Sequence, residues 1–107
     1  MNNQRIQQLL AFVQEEPDDP FNVYALAMEY LTAQPGQALH YFEQLLDRHP
    51  DYLPTYYHAA ALYADLDDRP KADILYQRGI ELARSAGNQK TVDELTRAYR
   101  MFQDDDL

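Results

Sequence analysis

Apolar residues recur along this chain at helical spacing, and no stretch alternates apolar with polar as a strand requires. Ile6, Leu9, Leu10 and Val13 form one stripe over residues 4–16, with Gln7, Gln8, Gln14 and Glu15 facing away. Val23, Leu26, Ala27 and Tyr30 form the next, on a helix predicted to run from Pro20 to about Thr32. Asp19 is placed to accept its orphan N–H groups, and Pro20 gives up only a donor that the first turn leaves unpaired anyway. Gln34-Pro35-Gly36 reads as a break, after which residues 37–48 turn Ala38, Leu39, Phe42, Leu45 and Leu46 inward. The small Ala27 and Ala38 allow these two backbones to approach closely. Leu53-Pro54 restarts the pattern, with Tyr56, Ala59, Ala60 and Tyr63 inward to about Leu66. Asp67-Asp68-Arg69-Pro70 reads as a turn. The helix that follows, to about Ala86, buries Ala72, Leu75, Tyr76, Gly79, Ile80 and Ala83, and Gly87-Asn88 ends it because Gly reaches the left-handed conformation without steric cost. A last helix over 89–103 carries Val92, Leu95, Tyr99 and Phe102 on one stripe and Asp93, Glu94, Arg97 and Arg100 on the other face, with Thr91-Val92-Asp93-Glu94 as its expected capping box. Residues 104–107 read as an acidic tail. The pattern predicts an all-α chain of six antiparallel helices.

The punctuation of this pattern repeats. Pro17-Asp18-Asp19 stands before the first helical pair and Pro50-Asp51-Tyr52 ends it, a period of about 33 residues that marks a helical repeat. A large residue, Leu, a small residue and Tyr occupy one helix of the first unit as Val23, Leu26, Ala27 and Tyr30, followed by Ala38, Phe42, Leu45 and Pro50 on its partner. The second unit supplies Tyr56, Ala59, Ala60 and Tyr63, then Ala72, Tyr76 and Gly79. This pattern resembles the tetratricopeptide repeat family. Departures are Val23 and Tyr56 where that family usually has Trp, Leu45 where it has a small residue, and Arg84 where a closing Pro would stand. The resemblance implies a right-handed αα superhelix in a single domain over 1–107. Its parts are an N-terminal flanking helix (4–16), one repeat at 20–52, a second at 53–88, a capping helix at 89–103 and the tail at 104–107.

Charge and composition narrow the functional classes. Eighteen acidic residues against nine basic ones give a net charge of −9, which disfavours nucleic acid as a partner because a polyphosphate needs clustered Lys and Arg. Up to Asp47 the only base is Arg5, so this half repels anionic membranes as well. The surface is also lysine-poor, with only Lys71 and Lys90, a composition that suits high salt and ordinary solubility alike. There is no cysteine, no basic leader and no apolar run near the roughly 20 residues of a membrane span, so the expected location is the cytoplasm. His40, His49 and His58 fall on different elements without ligand spacing. Asp65, Asp67 and Asp68 begin like a calcium loop but lack its Gly, and Tyr76 stands where its bidentate Glu belongs. Ser85, the only serine, has no evident base partner. No metal, cofactor or catalytic activity is expected.

The family resemblance implies a concave groove lined by the first helix of each unit. Helical residues step by about 100°, so the face opposite Val23, Leu26, Ala27 and Tyr30 carries Phe21, Tyr24, Met28 and Leu31. In the second unit the corresponding face carries Pro54, Tyr57, Ala61 and Ala64, with His58 and Asp65 at its edge, and the matching face of the last helix carries Lys90, Asp93, Arg97 and Arg100. Aromatic and Met side chains suit binding of a peptide or protein segment, and the arginines suit a carboxylate. The Lys and Asn clamp that some family members use for a C-terminal carboxylate is not matched, since Tyr24, Met28, Tyr57 and Ala61 occupy the groove. The expected function is a non-catalytic interaction module or scaffold. The competing expectation is a homodimer in which a second copy covers the face of Phe21, Tyr24, Met28 and Leu31, and a third is plain core packing.

Overall fold

The computed structural model describes residues 2–105. The two outermost residues of the predicted acidic tail, Asp106 and Leu107, therefore lie outside the described residues. Six α-helices follow in order: α1 (Asn3–Glu15), α2 (Pro20–Tyr30), α3 (Pro35–Arg48), α4 (Pro54–Asp65), α5 (Arg69–Ser85) and α6 (Gln89–Asp104), and no strand occurs among the described residues. The fold is an all-α helical repeat. It divides into two compact units, Met1–Thr55 and Tyr56–Leu107.

In the first unit α1 packs on α2, and α2 on α3. Asn2 caps α1 by accepting the Arg5 N–H at 3.0 Å, and Asp19 caps α2 by accepting the Phe21 N–H at 3.0 Å. The core gathers Ile6 and Leu9 from α1 against Leu26, with Val13, Ala25, Tyr30 and Tyr41 packed around them. Val23, Ala27, Ala38, Phe42 and Leu45 are also buried. Tyr30 and Tyr41 stack across α2 and α3 at 5.9 Å with their planes 7° apart. An exposed ion pair between Arg5 and Glu29, 3.5 Å apart, ties α1 to α2.

In the second unit Tyr56, Ala59, Ala60, Leu62 and Tyr63 of α4 are buried, as are Ala72, Leu75, Tyr76 and Ala83 of α5 and Val92 and Leu95 of α6. Gly79 is the tightest point. A Cβ there would stand 2.7 Å from the Tyr56 Cβ and 3.1 Å from Leu95 Cδ1, so hydrogen is the only side chain that fits without displacing α4.

The helix ends differ from the sequence expectation in instructive ways. Pro35 was expected to break structure, yet it opens α3, because a proline that terminates one helix is well suited to the first turn of the next. Thr91 was expected to cap α6. Asn88 does so instead, accepting the Thr91 N–H at 3.1 Å, so the helix starts two residues before Thr91. Asp68, expected in a turn, caps α5 by accepting the Lys71 N–H at 3.2 Å. At the end of α4, Asp67 adopts φ 63°, its N–H bonds the Ala64 carbonyl, and the Asp68 N–H reaches back to Tyr63 at 2.9 Å. Gly87 closes α5 in the same way at φ 71°, with Asn88 bonding back to Ala83. Both are Schellman closures, one using Gly and one an Asp that tolerates the left-handed region at some cost. Leu10 was expected in the α1 stripe but is exposed, because Ile6, Leu9 and Val13 already fill the contact with α2.

Candidate functional site

The residues predicted to line a groove fall in both units, and each unit has its own surroundings. In the first, Phe21 follows directly on Pro20 in the first turn of α2 and is 56% exposed. Tyr24 lies one turn further, its ring set edge-on to Tyr52 at 5.9 Å. Burial, and then the neighbouring Tyr52, push the Tyr24 phenol above its ordinary range, so it is a neutral hydroxyl at physiological pH. Met28 and Leu31 are half-buried, with the Leu31 N–H bonded to the Met28 carbonyl where α2 ends.

In the second unit, Tyr57, Ala61 and Asp65 come together along one face of α4. Their spacing of four residues makes this a single helical ridge. They line an open depression of about 350 Å³ together with Ala64. Tyr76 of α5 contributes from the side, and α6 supplies Ala98, Met101 and Phe102, with Asp105 just beyond its end. The three alanines leave the space, the rings and the Met thioether give it an apolar lining, and the two carboxylates are the charged groups on it. His58 sits beside Tyr57 with the two rings 5.2 Å apart and nearly perpendicular. Burial lowers the His58 pKa, which favours the neutral imidazole.

Arg97 and Arg100 open elsewhere. They line a separate surface of α6 with Val92, Asp93, Thr96, Met101 and Asp104, and Met101 is shared by the two surfaces. The groups that α6 turns toward the depression, Ala98, Met101, Phe102 and Asp105, were not anticipated as site residues. Phe102 had been assigned to the core stripe and Asp105 to the tail. The signal was present in the spacing of Leu95, Ala98, Phe102 and Asp105, which follows one side of a helix.

Aromatic packing and hydrogen bonds fix the α5–α6 side of the depression. Tyr76, Tyr99 and Phe102 form a cluster with centroids 5.4–6.3 Å apart. The Tyr99 hydroxyl donates to Asp73 Oδ1 at 2.6 Å, and Gln77 Nε2 donates to Asp73 Oδ2 at 2.6 Å and to the Tyr99 oxygen at 3.1 Å. Arg69 donates to the Phe102 carbonyl at 2.7 Å and lays its guanidinium 4.1 Å from the Phe102 ring centre. The Asp73 hydrogen bond first, then burial and the Asp73 charge, raise the Tyr99 pKa, although the bond from Gln77 opposes them.

Among the described residues, no group of three or more His, Asp and Glu side chains is placed to hold a metal ion, and no helix is long and apolar enough to cross a membrane. No protein-family model matches the sequence, and no curated protein matches it. Solved structures do. A crystal structure of a tetratricopeptide repeat domain protein from Salinibacter ruber is 44% identical, with a TM-score of 0.75 over 79% of this chain and 96% of that one. A solution NMR structure of a tetratricopeptide repeat domain protein from the same organism is also 44% identical, with a TM-score of 0.75 over 81% of this chain and 89% of that one.

Proposed function

We propose that this chain, which belongs to the tetratricopeptide repeat family, is a non-catalytic interaction module that holds a peptide or protein segment against exposed aromatic side chains of its helices. The observation that carries the reading is that Phe21 and Tyr57 remain 56% and 43% exposed although each unit has a filled core. About half of each ring is left in water, area that the fold itself does not use. Both side chains offer apolar area with few rotatable bonds, the property that makes aromatic residues effective binding anchors. Tyr57 is the stronger of the two, because Ala61 and Ala64 leave room beside it for an incoming side chain. Repeats at 20–52 and 53–88 with flanking helices are the architecture we assign to the module.

A second reading has its own observation. Leu10, Phe12 and Phe21 of the first unit are all exposed, an amount of apolar surface that a second copy would cover. One set of measurements separates the readings. Light scattering at low and high salt gives the assembly state, and selection from a random peptide library gives ligands for the wild type, for Phe21→Ser and for Tyr57→Ala. An interaction module is a monomer at all concentrations. Its selected peptides lose affinity for the variants while the melting temperatures stay near that of the wild type. A dimer whose mass and melting temperature both fall in Phe21→Ser replaces this reading with self-association. A large loss of stability at unchanged monomer mass assigns the faces to the core.

A further inference from the structure

The depression beside Tyr57 has a chemical character that the interaction reading leaves unspecified. Its charged groups among the described residues are both carboxylates, Asp65 and Asp105. Both are exposed, so their charges reach an incoming group. Neither arginine of the outer α6 surface lines it. The remaining lining is aromatic, alanine and methionine. An anionic or purely apolar ligand would lose carboxylate hydration there without gaining a countercharge. A cation set between rings and carboxylates gains from both.

Rings of this unit already take both kinds of cation, the Lys71 ammonium 5.8 Å from the Tyr63 ring centre and, closer, the Arg69 guanidinium 4.1 Å from that of Phe102. Phe102 lines this depression and also the neighbouring opening that contains Arg69, where a guanidinium lies over its ring. A planar guanidinium stacks on an aromatic face and presents paired N–H donors to carboxylates, whereas an ammonium is a compact and strongly hydrated point. Size agrees as well. About 350 Å³ lies at the lower end of the roughly 300–1,000 Å³ of ligand pockets, room for one side chain. Burial, followed by Tyr57 and Asp65, holds the Tyr76 phenol above its ordinary pKa, so this ring stays a neutral wall of the depression.

We propose that this depression is an arginine subsite, in which Asp65 and Asp105 pair with the guanidinium of a basic partner segment and Tyr57 covers its stem. The inference rests on the interaction reading and names the partner's chemistry. The net charge of −9 acts in the same direction, attracting basic segments from a distance at low ionic strength.

The test is an NMR titration of the 15N-labelled chain with N-acetyl-arginine amide, against N-acetyl-glutamine amide as the uncharged control. The arginine derivative is expected to move the amide signals of Ala61, Ala64 and Ala98 saturably, and the glutamine derivative is not. Asp65→Asn/Asp105→Asn should keep the fold, because both residues are exposed and Asp105 stands at a helix C-terminus where a negative charge is unfavourable. Its affinity for the arginine derivative should fall by about threefold to tenfold, the range for two exposed ion pairs. Absence of saturable shifts up to the solubility of the arginine derivative, equal shifts from the glutamine derivative, or an unchanged affinity in the double variant overturns the proposal. Library peptides that need Tyr57 but contain no arginine, and that bind the double variant as well as the wild type, overturn it while leaving the interaction reading in place. Arginine seated as expected with no peptide selected does the reverse.

Discussion

The two units of this chain are built from the same helical pattern but are joined by different means. In the first, rings and aliphatic chains meet across the helices: Tyr30 on Tyr41, Tyr24 on Tyr52, and Ile6 and Leu9 against Leu26. In the second, α5 is fastened to α6 by directional contacts, with Asp73, Gln77 and Tyr99 in one network and Arg69 on the Phe102 carbonyl and ring in another. It also contains Gly79, where a Cβ would stand within 2.7 Å of Tyr56. Apolar contacts have no required direction and leave no polar group unsatisfied when the rings slide past one another. Hydrogen bonds do require a direction, and the glycine contact requires a close approach. One periodic pattern thus yields a unit held mainly by apolar packing and one that adds directional bonds and a glycine contact to it.

The largest expected effect tests that contrast with a matched pair. Gly79→Ala should destabilise by about 1–3 kcal/mol, since the obstructing atom is a Cβ and α4 must move. Gly36→Ala, in the first turn of α3 with nothing near its Cβ, should instead stabilise by up to about 1 kcal/mol. Thermal melts report both, and hydrogen exchange should show the Gly79→Ala loss in the amides of residues 56–105. Equal effects for the two glycines would remove the contrast.

Tyr99→Phe comes next. It removes a donor from Asp73 in a half-exposed setting and should cost about 1 kcal/mol. The folded-state pKa of Tyr99 is raised, so its contribution is complete below the ordinary phenol range near about 10 and is lost as pH rises through the folded value. The stability gap between wild type and variant should therefore narrow in alkaline melts. At the opposite end, burial depresses the His58 pKa, so its contribution is present above about 6.5 and declines as pH falls through the folded value.

Thr55→Val should act in the other direction. Thr55 is fully buried at the end of the first unit, and its hydroxyl has no hydrogen-bond partner. Removing it should raise stability by about 1 kcal/mol in a denaturant titration. A loss would show that the hydroxyl is satisfied in solution. The smallest effect concerns the two Schellman closures of the second unit. Asp67→Gly should gain, and Gly87→Asp should lose, roughly 0.5 kcal/mol, because both positions need a positive φ that Gly adopts freely and Asp only tolerates. Melting curves of the two variants check the sign of each change.

Much of this architecture was legible in the order of residues. Helix existence followed from the spacing of Val23, Leu26, Ala27 and Tyr30 and of their counterparts, because burial of one face dominates local preference. The caps were less legible. Asn88 and Thr91 are both competent, and which one starts α6 depends on where the chain leaves Gly87. Leu10 shows another limit, since a stripe on α1 does not reveal how wide the facing helix is. The site followed the same division. Tyr57, Ala61 and Asp65 lie on one helix and were readable from its period. Tyr76, Met101, Phe102 and Asp105 reach the same depression from α5 and the end of α6, and that meeting is a tertiary fact without a local signature.

The bond between Tyr99 and Asp73 also has an optical meaning. The chain has nine tyrosines, four weakly emitting phenylalanines and no tryptophan, so its near-ultraviolet emission is dominated by phenols. A phenol becomes far more acidic on excitation, and one already donating at 2.6 Å to a carboxylate has an acceptor in place for its proton. Emission from Tyr99 should therefore include a red-shifted tyrosinate component at neutral pH. That component vanishes when α6 leaves α5, so the chain carries a native, label-free reporter of whether its second unit is closed.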